Sequence, residues 1–371
     1  MIHLVFGLPT LYVAWRTIWP LPWPPALKLA LVAALLVASQ FHHWNRLSSG
    51  SIFSPEYARP LVILFNWAIG VILLTAAMQA LFDLGALVSR LSPGGGWAVP
   101  HGARYSALVV AVLLAAIGVA QAVRVPPLRD VEFRIGNLPA AFDGYRLLQL
   151  TDLHASRLFP ASWVRTVVER SVASGVDLVV VTGDFIDGTV AARADDVAPL
   201  RGLHAPDGVW AVTGNHEYIF GAEAWRTRIA ELGIRILANE HVVLRRGGAE
   251  LILAGVEDRS APREGRRHDL EAALAGAPPD APVLLLDHQP GAARQAAARG
   301  IALQLSGHTH GGMVLGLDRL VARANDGFVS GAYAVGGMIL YVNNGTGLWP
   351  GFAIRLGRPS ELTRITLRRT S

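Results

Sequence analysis

The sequence predicts a layered α/β domain with mixed sheets behind a helical membrane region. Three observations predict it. Hydrophobic residues make up 52% of the 371 and charged residues only 16%, against roughly 25% charge in a soluble globular chain. Four apolar runs fall within residues 1–125. From about residue 130, short β-rich runs alternate with Ala/Arg-rich helical stretches and Gly/Asp punctuation, as strands layered with helices do. The apolar content excludes disorder. The chain has no cysteine, which excludes disulfides, thiolate zinc sites, iron–sulfur centres and thiol nucleophiles.

A membrane-spanning helix needs about 20 mostly apolar residues. Such runs lie near 2–19, 26–41, 61–81 and 105–123, so the sequence predicts four spans in residues 1–125 and an α/β domain over 126–371. The first run contains Arg16 and the second Lys28 near its start; both side chains are long enough to reach an interface. The third is interrupted only by Asn66, Thr75 and Gln79, and the fourth is nearly unbroken between Arg104 and Arg124. Trp15, Trp19, Trp23, Trp44 and Trp67 suit membrane–water boundaries. A cleaved signal peptide fits poorly, because the start lacks a basic segment and three more apolar runs follow. Arg16, Lys28, Arg90 and Arg104 flank one face, and Arg46, Arg59, Arg124 and Arg129 the other. The positive-inside rule therefore leaves the side of the α/β domain open. The expected location is a membrane, most simply a bacterial plasma membrane.

The net charge of +5 is unevenly divided. Residues 1–123 hold six basic and two acidic groups, which leaves 27 basic against 26 acidic for the rest. The α/β part has no basic surplus from which to build a nucleic-acid surface. The single lysine beside 32 arginines reads as codon bias.

Along the α/β part, strands are predicted at 131–135, 145–150, 178–181, 209–212, 242–244, 251–254, 283–286 and 301–305, then at 328–329, 338–342 and 362–367. Helices are predicted near 161–174, 190–201, 222–232, 269–276 and 290–299. Helix and strand alternate early and strands follow one another later, which suits mixed sheets.

Five short polar segments follow apolar strands: Thr151-Asp152-Leu153-His154, Thr182-Gly183-Asp184, Thr213-Gly214-Asn215-His216-Glu217, Asp287-His288, and Ser306-Gly307-His308-Thr309-His310-Gly311-Gly312. In open α/β sheets ligands bind outside the carboxyl ends of the strands, so five tips leaving one sheet are expected to converge. The residues offer Asp oxygens, an Asn carbonyl and imidazoles without sulfur. That mixture suits Mn, Fe or Zn better than Ca or Mg. In extended backbone, residues i and i+2 point the same way, which would align Asp152 with His154 and His308 with His310. A metal pair needs a bridging carboxylate, and Asp184 is the natural one. Gly183, Gly214 and Gly307 are expected to let the backbone turn tightly beside the cluster. His42, His43, His101, His204, His241 and His268 read as surface or satisfied core residues, and Asp187 as a turn residue or a supporting one.

In their order, these motifs resemble the calcineurin-like metallophosphoesterase superfamily over nearly all of 145–315. The series D-x-H, G-D, G-N-H-[D/E], H, G-H-x-H is complete. Glu217 stands where many members have Asp. The form of Ser306–Gly312, and the stretch 341–361 with its Asn343-Asn344-Gly345-Thr346-Gly347 turn, resemble the membrane-associated branch; the helical front end lies outside the superfamily pattern. The resemblance implies a four-layer α/β/β/α domain with two mixed sheets and two divalent metal ions. One ion would be held by Asp152, His154, Asp184 and His310, the other by Asp184, Asn215, His288 and His308. His216 would stand beside the metals and stabilise the phosphoryl oxygens or protonate the leaving group. Glu217 or another nearby carboxylate would orient imidazoles.

The implied reaction is direct hydrolysis of a phosphodiester or pyrophosphate by hydroxide held between metals roughly 3.5–4 Å apart. No phosphate-binding G-x-x-x-x-G-K or G-x-S-x-G motif competes with it. Membrane attachment points to a lipid bilayer and a lipid-linked or envelope-associated substrate. The branch resemblance includes hydrolases of the pyrophosphate in a UDP-diacylglucosamine precursor. Phe159, Tyr218, Phe220 and the stretch 348–352 are candidates to meet acyl chains, or else core. Arg157, Arg259 and Arg355 are candidates for a further phosphate, or else solvated surface. An inactive membrane scaffold or sensor would be expected to have lost an Asp or His. A transporter would be expected to carry more intramembrane ionisable groups.

Overall fold

The structure is a computed structural model that describes residues 2–93 and 95–370. The chain forms two compact units, one of Met1–Ala122 with Pro350–Leu356, the other of Val123–Trp349 with Gly357–Ser371.

The first unit is helical. Its helices are α1 (Ile2–Val13), continued by a π-helical turn over Ala14–Ile18, then α2 (Pro25–Ser39), α3 (Phe41–Ser49), α4 (Arg59–Leu91) and α5 (His101–Val123). Proline at the first turn starts α2 and α4, where its missing N–H is not needed. α4 and α5 are long and apolar enough to cross a membrane, and α2 with α3 adds a third span if that pair, bent by 53°, is counted as one. This differs from the four runs predicted. The first apolar helix, Leu4–Ile18, is shorter than 18 residues, at the lower limit for a span, so the structure does not confirm a fourth. The second run breaks at Gln40 and turns.

The polar interruptions of the third run are all buried, and two of them have visible work to do. Asn66 donates from Nδ2 to Pro350 O at 2.9 Å and accepts from Ala353 N at 2.6 Å. Ile354 packs where side chains on Gly70 and Gly118 would otherwise stand. Segment 350–356 is thereby seated among the helices, and the expectation that residues 348–352 meet acyl chains gives way to a stretch that is largely buried.

The second unit is built on two six-stranded mixed sheets. Its elements are β1 (Leu128–Ile135), β2 (Arg146–Leu150), α6 (Ala161–Ala173), β3 (Leu178–Thr182), α7 (Val190–Val197), β4 (Val209–Val212), α8 (Asn215–Phe220), α9 (Ala222–Glu231), β5 (Arg235–Ile236), β6 (Glu240–Arg246), β7 (Ala249–Gly255), α10 (Leu270–Leu274), β8 (Val283–Leu286), α11 (Ala293–Ala298), β9 (Leu303–Ser306), α12 (Asp318–Ala324), β10 (Gly331–Val335), β11 (Met338–Val342) and β12 (Leu362–Arg369). One sheet runs β1-β12-β2-β3-β4-β5 and the other β10-β11-β9-β8-β7-β6. In the first, β12 lies parallel to β1 and antiparallel to β2, and β2 through β5 are parallel. In the second, β7, β8, β9 and β11 are parallel, with antiparallel β6 and β10 at the edges.

Strand periodicity explains the core. Leu147, Leu178, Val180 and Val212 of the first sheet form one cluster with Leu251, Leu253, Leu284, Leu286, Leu303 and Leu305 of the second. The intervening residues Ile252, Ala254 and Leu285 face the other way, onto Ala273 of α10 and Ala293 and Ala296 of α11. Both faces of the central strands are thus buried, as parallel strands require.

Candidate metal centre

The five motifs begin where β2, β3, β4, β8 and β9 end. These strands belong to two sheets, the two that the resemblance implies, and not to the single sheet assumed in the convergence argument. Their carboxyl ends are stitched together: Gln149 Nε2 donates to Ser306 O at 3.1 Å, and His288 Nδ1 lies 2.7 Å from Thr182 O.

The side chains do not converge through extended backbone. Asp152, His154, Asp184, His308 and His310 all have positive φ, between 47° and 69°. The i, i+2 argument for D-x-H and H-x-H therefore fails, and left-handed kinks at the strand ends aim the side chains instead. A non-glycine residue in that region costs about 1–2 kcal/mol, and such strain concentrates at functional sites. The neighbouring glycines make room: a Cβ on Gly307 would stand 2.3 Å from Asp152 Oδ2, and one on Gly214 2.2 Å from Asp184 Oδ1.

Three groups of ligand atoms lie within 4.8 Å of one another: Asp152, His154 and His310; Asp184, His288 and His308; and His154, Asp184 and His216. His154 Nε2 is 3.8 Å from Asp152 Oδ1 and 3.7 Å from Asp184 Oδ2. His310 Nε2 is 3.6 Å from Asp152 Oδ1, and His288 Nε2 is 3.3 Å from Asp184 Oδ2. Asn215 Oδ1 lies 2.8 Å from His308 Nδ1 and 3.1 Å from His288 Nε2. Two ligands bonded to one ion at about 2.0–2.2 Å stand about 3–3.5 Å apart; the His288–Asp184 and His288–Asn215 separations lie in that range and those about His154 and His310 lie a few tenths of an ångström beyond it, so a shared ion requires only a small closing of the ligands. His154 Nε2 is fully buried with no hydrogen-bond partner among the described residues, a costly state that a cation would relieve. The cluster fits a dinuclear divalent site.

The electrostatics agree. Burial opposes charge on His154, but Asp187, Asp152 and Asp184 outweigh it and lift the imidazole to about 10. Burial likewise opposes charge on His288, and Asp184 above all raises it well over the usual range. Burial and the His288 cation push His308 down to about 4. Against burial, His288 and His216 hold Asp184 well below the ordinary carboxylate range. Facing cations and anions at this density mark a site organised around charge.

Two supporting carboxylates have distinct work. Asp187 Oδ1 lies 2.5 Å from His216 Nδ1, and its Oδ2 lies 3.1 Å from His154 Nδ1. Asp187 therefore faces two imidazoles at once, hydrogen-bonded to His216 and ion-paired with His154, and both Nε2 atoms lie toward Asp184. This is the task expected of Glu217 or another nearby carboxylate, and it falls to Asp187. Glu217 accepts instead from Gly214 N at 2.6 Å, Asp184 N at 3.0 Å and Phe185 N at 2.8 Å, tying two motif loops together. Its burial and the nearby Asp184 carboxylate raise it to about 7. The 343–347 turn also belongs to the site's frame: Thr346 N donates to Thr151 O and Gly347 N to Asp152 O, at 2.8 and 2.9 Å.

Of the remaining candidates, Phe159 packs on Trp163 in the core, and the Tyr218 hydroxyl is bonded to Glu257. Both are core residues. His204 and His241 sit on backbone carbonyls, and His268 on Asp287. Arg355 is fully buried, so the surface reading does not hold for it; Arg157 and Arg259 are exposed.

With this geometry in place, residues 145–312 match the family described as "Calcineurin-like phosphoesterase". The chain is 35% identical over 298 residues to "Transmembrane protein with metallophosphoesterase domain" of Danio rerio, covering 77% of this chain and 68% of that protein. The Bos taurus protein of the same description is 33% identical over 275 residues, covering 71% of this chain and 62% of that one. An "Uncharacterized metallophosphoesterase" of Helicobacter pylori (strain J99) is 34% identical over 225 residues, 60% of this chain and 59% of that protein. The chain belongs to the calcineurin-like metallophosphoesterases. Within them it falls in the membrane-associated branch, as an integral membrane protein with apolar spanning helices.

Proposed function

We propose that this protein is a membrane-anchored, dinuclear metal-dependent hydrolase of a phosphodiester or pyrophosphate bond in a lipid-linked or envelope-associated substrate. The observation that carries the reading is the fully buried, unpartnered His154 Nε2 facing Asp152 and Asp184. In this reading Asp152, His154, Asp184 and His310 hold one ion, and Asp184, Asn215, His288 and His308 the other. Asp184 is the bridge because its Oδ2 faces His154 on one side and His288 on the other. When bound, the two ions supply a water of lowered pKa and neutralise charge on the phosphoryl oxygens.

The chain's own groups do the rest. His216 is held at Nδ1 by Asp187; its Nε2 stands 4.0 Å from Asp184 Oδ2 and is placed to hold a proton for the leaving oxygen. Asp152 is fixed by donation from Thr151 Oγ1 and His308 N at 2.8 and 3.1 Å, which spares it reorganisation during the reaction. Spanning helices on the same chain support a bilayer-borne substrate.

The test is hydrolysis by the full-length protein in detergent with manganese, iron or zinc added. UDP-diacylglucosamine, a generic soluble diester and a generic monoester are compared. The reading expects metal-dependent release from the lipid-linked pyrophosphate or the diester in preference to the monoester. Preference for the monoester, or turnover unaffected by chelation, would overturn it.

A further inference from the structure

In the helical unit two arginines share one carboxylate. Arg16 donates to Asp83 from Nε at 2.8 Å and from Nη2 at 2.5 Å. Arg104 donates to Asp83 from Nη2 and to Gln79 Oε1 from Nη1, both at 2.7 Å. The Tyr12 hydroxyl donates to Asp83 at 2.6 Å. Two guanidiniums against one carboxylate leave a net charge of +1. Among the described residues no other carboxylate pairs with either arginine; the only other acid in residues 1–123 is Glu56.

The excess charge sits where a membrane places its headgroups. α4 has 33 residues, about 50 Å at 1.5 Å per residue, which exceeds a hydrocarbon core of about 30 Å. Asp83 lies in its last third and Arg104 in the first turn of α5. Trp15, Trp19 and Trp97 are 64%, 56% and 45% exposed, an aromatic belt of the kind found at the interface. Trp97 packs above Gly85, the Arg16 guanidinium lies 4.9 Å over the Trp15 ring, and Lys28 Nζ is bound to Trp19 O at 2.7 Å. The helix also widens into a π turn over Ala14–Ile18, centred on Arg16; single π turns occur frequently at functional sites.

We infer that the Arg16–Asp83–Arg104 cluster binds the phosphate of an anionic phospholipid headgroup. Asp83 holds two planar forks in place and cancels one of their charges. The remaining charge matches the single negative charge of a phosphodiester. Arginine suits phosphate because its donors are fixed in a fork. The Arg16 and Asp83 side chains are 29% and 25% exposed and that of Arg104 is 8% exposed, so a ligand reaches the cluster at Arg16 while Arg104 supplies charge from behind. The aromatic belt sets its depth at the headgroup, as in basic pockets between spanning helices. The site is separate from the metal cluster and its test does not use hydrolysis.

The experiment is lipid retention by the full-length protein in nanodiscs of phosphatidylcholine with phosphatidylglycerol, read by native mass spectrometry after detergent extraction. The wild type is expected to retain phosphatidylglycerol in preference to phosphatidylcholine. Losing a charge-assisted hydrogen-bonding pair should cut that retention at least about tenfold in Arg16→Gln and in Arg104→Gln. Arg90→Gln, an exposed arginine on the same helix as Asp83, should cost no more than the about fivefold of general surface attraction. Equal retention of the two lipids by the wild type would overturn the proposal without any variant. So would equal losses in all three variants, or full displacement of the lipid by inorganic phosphate.

Discussion

Gly214→Ala tests whether the site depends on the exact seating of Asp184. A methyl at 214 would stand 2.2 Å from Asp184 Oδ1, 2.6 Å from Asp184 N and 2.8 Å from Asp184 Cγ. Carbon and oxygen approach no closer than about 3.3 Å without penalty, so something must move by about 1 Å. The Asp184 backbone has little freedom, because Glu217 accepts from Asp184 N and Phe185 N while His154 N donates to Asp184 O at 3.1 Å. The Asp184 side chain and the 213–217 loop must therefore shift against each other, which displaces the carboxylate from the position in which its Oδ2 faces His154 and His288. A misplacement of about 1 Å costs on the order of a hundredfold in rate, and overpacking costs about 1–3 kcal/mol of stability. The assay is metal-dependent diester hydrolysis with metal content and thermal unfolding measured on the same sample. Gly233→Ala is the control: the space around it is open, and its φ of +86° adds a backbone strain that Gly214, in extended backbone at φ −104°, does not carry. It should lose about 1–2 kcal/mol of stability and no activity. A Gly214→Ala protein with wild-type turnover and metal content would refute the reasoning.

Asp187→Asn should weaken metal binding and turnover by about 10–100-fold, because one side chain orients both His154 and His216; unchanged affinity by metal titration would contradict that. His154 and His288 have raised folded-state pKa values, His154 about 10, so near neutrality the metal-free site carries protons that must leave before metal binds. Metal affinity should therefore rise with pH, by up to about two decades per unit for two protons released, and calorimetry in buffers of different ionisation enthalpy counts those protons. The same groups stabilise the metal-free fold fully below the unfolded histidine value of about 6.5 and lose that contribution as pH rises through their folded values, so metal-free thermal midpoints should fall with rising pH in that window while metal-loaded ones do not. Asn66→Leu would orphan the Pro350 carbonyl and the Ala353 amide in the helical unit, at about 1–3 kcal/mol each; limited proteolysis in detergent should then cut within 350–356, and an uncut, equally stable protein would count against that seating.

The parts legible in the sequence are those with a strong period or a dense local pattern. Strands β4, β8 and β11 lie at the predicted residues and β2, β3 and β7 differ only at their ends, because each is a short apolar run closed by a polar motif. β5 and β10 are not legible in the sequence, and the strand expected at 328–329 lies instead at 331–335, since two-residue and edge strands carry little alternation. α8 was hidden because its residues, Asn215–Phe220, read first as a motif and only then as a helix started by Gly214. The D-x-H and H-x-H pairs were found for a reason that proved wrong: alternation points to extended backbone, whereas φ is positive at all four residues. A supporting role for Asp187 is legible from its place three residues after Asp184, but nothing local shows that it faces both His154 and His216, which lie 33 and 29 residues away. Helix length supports two or three spans and does not confirm a fourth, because hydropathy does not register the bend after Ser39 or the length of the first helix.

The most direct test of the central claim is the number of divalent ions bound per full-length chain after chelation and reloading, determined by elemental analysis alongside an Asp184→Asn variant. A pair of ions bridged by Asp184 predicts two per chain in the wild type and a loss of at least one in the variant, with hydrolysis falling in step. One ion or none in the wild type, or two retained with full activity in Asp184→Asn, would contradict it.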